Sequence, residues 1–178
     1  MSARHTLVRS MHDIGLASWF GGSLMGAVGL NGAAAAAKDP QERVALAAKG
    51  WARWTPVVVA SVGLHTLGSI GLIAGNAKRL EHQEGARTNT VVKGLLTVAA
   101  AATTLYAGGV GKTQHEHADE GAPGATEASR SSSAELTAAQ EKQKALQWAI
   151  PALTGVLIVL AAQQGEQQRP LGGRLHGR

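Results

Sequence analysis

The sequence predicts an all-α protein: a polytopic four-helix transmembrane bundle with a short interfacial helix and a disordered loop. Three observations predict it. Four stretches lack charge, apart from a single Lys93 near the start of the third, over nearly the length a bilayer demands, roughly 20 residues of helix, at 14–37, 56–75, 91–110 and 145–162. None of them alternates with a polar face as a soluble amphipathic helix would. The chain is 44% hydrophobic but only 3% aromatic and 16% charged, well under the ~25% charge of soluble domains, so its charges are confined to the connections.

A chain of 178 residues accommodates a single membrane domain. It contains no cysteine, which excludes disulfides, thiolate nucleophiles and Cys-based metal sites. The net charge of +5 is not gathered into a basic patch with interleaved aromatics, so nucleic acid is not an expected partner. Its basic residues flank apolar stretches instead, as at lipid headgroups.

The first stretch, 14–37, follows Arg4, His5 and Arg9. It exceeds a signal core of ~7–15 residues and runs on into poly-Ala, so it is expected to remain as an uncleaved span. Asp39, Pro40 and Glu42 then form a capping-box arrangement for a short helix ending near Gly50, expected on the membrane surface. Thr55 and Pro56 read as the cap and first residue of the second span, and Gly75-Asn76 as its stop. Thr88 or Asn89 would cap the third, and Gly108-Gly109 would end it.

Residues 112–133 carry no large apolar side chain and are expected to form a flexible polar loop. Ser132 with Glu135 suggests a second capping box, starting a polar helix that runs into the fourth span. Pro151 should kink that span near its entry. Residues 166–178 read as a mobile basic tail.

Four spans put the N-terminus, residues 76–90 and the C-terminus on one side, with nine Lys and Arg against four acids. The other side has eight of each. Acids weigh little in orientation, so the bias is slight. It places both termini in the cytoplasm of a cell whose inner (plasma) membrane holds the protein.

Small residues recur every fourth position: Ser18, Gly22 and Gly26 in the first span, Gly71 and Gly75 in the second, and Ala99, Thr103 and Ala107 in the third. In lipid, such stripes permit close helix approach. Their partner is another helix of this chain, a second copy, or another membrane protein. Trp19, Trp51, Trp54 and Trp148 are candidate interface anchors.

His65 lies near the middle of the second span, where a polar side chain is costly and often functional. It is a candidate cofactor ligand, and equally a neutral imidazole bonded to a neighbouring hydroxyl or carbonyl. Pairing with His12 around a haem would require similar depth. His12, at the entry of the first span, is expected to lie near the interface, forming a polar cluster with Arg9 and Asp13. His115 and His117 are candidate metal ligands because imidazole suits Zn, Cu and Ni, although their loop imposes no ligand spacing. Gly108 to Thr113 ends in Gly-Lys-Thr, but its first glycine is misplaced for a phosphate loop.

The run 12–22, HDIGLASWFGG, resembles the opening span of several four-helix bacterial membrane families, including copper-resistance D-type proteins, in which a His, a Leu-rich turn, a Trp and a Gly pair recur. The resemblance covers about eleven residues and implies a four-span bundle. The chain has only three Met and no Met-rich segment, so no ligand roles follow from it.

The expected function is therefore that of a small non-enzymatic membrane protein, acting by helix packing as a partner, a subunit of an assembly or a homo-oligomer, with no cofactor. Two alternatives use His65: a carrier or pore for ions, protons or a small solute, and a redox subunit holding haem or quinone.

Overall fold

The computed structural model describes residues 3–167. From residue 168 onward the expected basic tail, with Arg169, Arg174 and Arg178, lies outside the described residues. The described chain is an up-and-down bundle of four helical runs. The first comprises α1 (Ala3–Met25), a π-helical turn (Gly26–Leu30) and α2 (Asn31–Ala35). There follow α3 (Pro40–Gly75), a short α4 (Ala77–His82), α5 (Glu84–Glu116) and α6 (Ala134–Gln167). Around the ring α1 packs on α3, α3 on α5, α5 on α6 and α6 on α1. Three helices, α3, α5 and α6, are long and apolar enough to cross a membrane, the arrangement of a multi-pass membrane protein.

The core lies where the four runs meet. Trp19 of α1, Ala100 and Ala107 of α5 and Ile150 of α6 are buried together, with Val58 and Val62 of α3 against them. Trp19 is 0% exposed, and its indole Nε1 donates across the bundle to Thr104 Oγ1 at 3.1 Å. It is therefore a core residue and not the interface anchor expected. An indole fits a bundle centre because its one polar atom finds a hydroxyl there.

The α1–α3 seam is built on glycines. A Cβ on Gly15 would lie 2.5 Å from the His65 backbone nitrogen, and one on Gly68 would lie 2.3 Å from the His12 nitrogen. At these two positions the backbones themselves touch, which in lipid supplies packing that apolar burial cannot. Farther along, Gly22 and Gly26 receive the rings of Trp54 and Trp51, and Gly71 receives Val8. Ser18 accepts from the Ser61 hydroxyl at 2.9 Å. The stripe of the first span thus meets a helix of its own chain.

Several boundaries differ from the sequence reading. The expected interfacial helix and second span form one helix, Pro40–Gly75. Asp39 does cap it, accepting from the Gln41 N–H at 2.9 Å, but Thr55 lies inside and donates to the Trp51 carbonyl. Proline at 56 removes one donor, and the helix continues through it, with the rings of Trp54 and Trp51 just before it packed on Gly22 and Gly26 of the first run. Similarly, α5 begins beyond Thr88 and Asn89 at Glu84 and continues through Gly108 and Gly109 to Glu116. Its packing face includes Ala100, Ala107 and Val110, whereas Ala99 is exposed and Thr103 bonds its own helix. Of the expected Ala99–Thr103–Ala107 stripe only Ala107 faces inward. Gly75 is exposed at the last position of α3.

The 112–133 segment is not a free loop. Its first residues extend α5, and Ala122 and Ala125 are buried, the latter with Ala34 and Ala47. The Ala122 N–H donates to the Pro40 carbonyl, while buried Gln114 and Gln140 donate to the carbonyls of Ala125 and Gly124 at 2.9 and 3.0 Å. Donors from α5 and α6 satisfy this backbone, and segment composition contains no trace of them. Ser133, one residue later than expected, caps α6 by accepting from the Leu136 N–H.

Candidate functional site

Antiparallel packing sets His12 and His65 at one level. α1 begins at Ala3, so His12 lies well inside the helix rather than at its entry, and it packs over Gly68 of α3. The imidazole centroids are 4.5 Å apart at 46°. The expected difference in depth is thereby overturned. It rested on placing His12 at the membrane interface, whereas the tight glycine register carries Arg9, His12 and Asp13 alongside the last turns of α3. Rings in direct contact nevertheless leave no space for a macrocycle between them, so the pair does not fit axial haem ligation.

Both buried imidazoles are hydrogen-bonded. His65 Nδ1 meets the His12 carbonyl at 3.3 Å and Nε2 meets Thr97 Oγ1 at 3.2 Å. Because a carbonyl only accepts, Nδ1 carries the hydrogen, and in the neutral ring Nε2 accepts from the threonine hydroxyl. His12 Nδ1 lies 2.7 Å from Asp13 Oδ1. The Trp19 and His65 ring centroids lie 6.3 Å apart, with the two rings edge to face. These bonds satisfy polar groups at a depth where unpaired ones are costly.

Beside the pair is a cavity of about 240 Å³. It reaches from Asn76 and Ala86, at the end shared by the N-terminus and α4, inward to His12 and His65. Arg9, Lys93, Thr90 and Gln164 form its polar wall. The Lys93 amine donates to Gln164 Oε1, and the Gln164 amide lies 3.4 Å from Thr90 Oγ1. Apolar side chains, Ile70, Ile73, Val98 and Leu157, line the cavity as well. Sequence reading missed Lys93, Thr97 and Gln164 as a group. The available signal was Lys93 itself, the single charge inside an otherwise apolar stretch.

The remaining candidates are not brought to this site. His115 is exposed, and the Nδ1 of His117 is 2.9 Å from the Thr113 carbonyl, a bond that raises the His117 pKa. Among the described residues no group of three or more His, Cys, Asp or Glu is arranged to hold a metal ion. Gly108 to Thr113 are helical, not a phosphate loop. Trp51 packs on Gly26 and donates to Asn31 Oδ1 at 2.9 Å; Asn31 donates in turn to Gln147 Oε1 at 2.9 Å. Of the four tryptophans Trp148 is the outward-facing one, at 51% exposed.

No protein-family model, curated protein or solved structure matches this chain.

Proposed function

We propose that this is a small non-enzymatic membrane protein that binds, and passes on, a small solute in the cavity beside His12 and His65, in a cell's inner (plasma) membrane with both termini cytoplasmic. One observation carries the reading: the small-residue stripes are largely spent on packing within the chain, while a cavity lined by both polar and apolar side chains is left beside His12 and His65. Sites that bind small molecules combine an apolar lining with a few placed polar groups in this way. His65, with both ring nitrogens engaged, acts as wall and brace; Lys93 and its amide and hydroxyl neighbours are the groups that meet the solute.

A second reading, as a subunit of a larger membrane assembly, draws on α5, the least covered of the three apolar helices, whose Gly108 and Gly109 have open space where a Cβ would stand. One preparation separates the two. Protein purified in mild detergent is analysed for bound small molecules, lipids and proteins, alongside Gly94→Leu, which fills the cavity from its α5 wall. A molecule present in stoichiometric amount with the wild type and absent from Gly94→Leu supports the cavity reading. Equal recovery from both refutes it, and a stoichiometric protein partner in its place favours the second.

A further inference from the structure

We infer that the cavity's ligand is a membrane amphiphile with an acidic headgroup, entering sideways from the bilayer between α3 and α5. This rests on the reading of the cavity as a binding site and names what occupies it.

Charge is the first argument. Lys93 lines the cavity, and among the described residues that line it there is no Asp or Glu. Among the described residues Lys93 is in no ion pair: its amine is bonded to the neutral amide of Gln164, and Asp13, the acid whose charge reaches it, is bonded to His12. A cation held at membrane depth is stabilised by an opposite charge, and a ligand oxyanion would supply one. Thr90, Gln164 and Asn76 add neutral hydrogen-bonding groups beside it.

The route of entry is the second. Ile70 and Ile73 of α3 and Val98 of α5 line the cavity and yet are 57%, 46% and 69% exposed. The same side chains therefore face the cavity and the outer surface of the bundle, on the two sides of one seam. That outer surface is apolar and belongs to helices long enough to cross a membrane, so the seam opens to lipid. A water-soluble ion gains nothing from such a mouth, whereas an acyl chain does.

Size is the third. A cavity of about 240 Å³ falls below the ~300–1,000 Å³ of sites that enclose a whole drug-sized ligand. It suits a headgroup and the start of a chain, with the remaining carbons lying along Ile70, Ile73 and Val98. The shared headgroup chemistry is an oxyanion, either the phosphate of an anionic phospholipid or the carboxylate of a free fatty acid.

The test is native mass spectrometry of the full chain in mild detergent with phosphatidylglycerol, oleate, phosphatidylcholine or inorganic phosphate added singly. Phosphatidylglycerol or oleate should bind at one site at least about tenfold more tightly than phosphatidylcholine, and the tighter of the two identifies the source. Lys93→Gln should remove that preference, since breaking a buried charge pair is costly, and Lys93→Arg should retain it. Val98→Trp, at the exposed mouth, should weaken binding of either amphiphile without disturbing the core, which keeps the test open if Lys93→Gln does not fold. Equal binding of phosphatidylcholine, or an unaltered preference in Lys93→Gln together with undiminished amphiphile binding by Val98→Trp, overturns the inference. Binding of inorganic phosphate but of no amphiphile overturns it while leaving the cavity reading intact. If no probe binds and Gly94→Leu changes nothing that co-purifies, both fall.

Discussion

Replacing Gly15 or Gly68 by alanine adds one methyl group, and the structure places that methyl against backbone in both cases. At Gly15 the new Cβ would stand 2.5 Å from the His65 nitrogen and 2.6 Å from the Ser61 carbonyl oxygen; at Gly68 it would stand 2.3 Å from the His12 nitrogen. Ordinary carbon contacts lie at ~3.5–4.0 Å, so α1 and α3 must separate by about 1 Å. Backbone atoms cannot swing aside as side chains do. The His65–His12 carbonyl bond, already 3.3 Å, would pass beyond hydrogen-bonding range. Overpacking of this kind costs about 1–3 kcal/mol, partly offset by the ~0.5–1 kcal/mol that alanine gains over glycine inside a helix. Gly21→Ala is the control: it lies on the same helix with nothing within 4 Å of its Cβ, and it should be neutral or slightly stabilising. Unfolding in mixtures of mild detergent and dodecyl sulfate, followed by circular dichroism, should rank Gly21→Ala above wild type or equal to it, and Gly15→Ala and Gly68→Ala below. Three indistinguishable curves would refute the backbone-contact account of the α1–α3 seam.

Trp19→Phe keeps an aromatic ring but loses the pyrrole part of the indole and its bond to Thr104, leaving a void at a fully buried position, and should lower stability by more than the ~0.5–1.5 kcal/mol of the bond alone in the same assay. Asn31→Leu and Gln147→Leu each strand a buried partner and should cost about 1–3 kcal/mol; the double variant should cost less than the two losses combined, and strict additivity would show that the pair is not coupled. The end of α5 should respond to pH through two groups of opposite sense. The Thr113 carbonyl raises the His117 pKa, so its contribution is full below the unfolded pKa and fades as pH rises through the folded one. The Ser133 backbone N–H, bonding Glu120 at 2.6 Å, lowers the Glu120 pKa, so that contribution is present above the unfolded value and is lost as pH falls through the folded one. Nuclear magnetic resonance titration of His117 should give a pKa above that of the same histidine in the unfolded chain, and an equal or lower value would contradict the Thr113 bond.

The helices and their order were legible in the sequence because absence of charge over membrane length is a local property. So was the Asp39 cap, which depends on residues two or three positions apart. The candidate site was legible only in pieces: His65 as a costly polar group, and Lys93 as a lone charge. Their association was hidden, as was the proximity of His12, because depth was judged from where each apolar stretch begins. Two of the three stripe positions on α5, Ala99 and Thr103, were placed one residue away from the inward-facing Ala100 and Thr104 for a related reason. Spacing of small residues marks a possible face, but Ala99 and Ala100 are chemically identical and only the neighbouring helix chooses between them.

By itself the sequence determined an all-helical chain of small apolar residues with its charge held in the connections, since hydropathy, capping and helix length act over a few residues. Tertiary structure alone decided the level at which the helices meet. Two backbone contacts, at Gly15 and Gly68, set that register, and a shift along the helix axis of one turn, about 5.4 Å, would part His12 from His65. The same register brings Lys93 to Gln164 and leaves the cavity beside them.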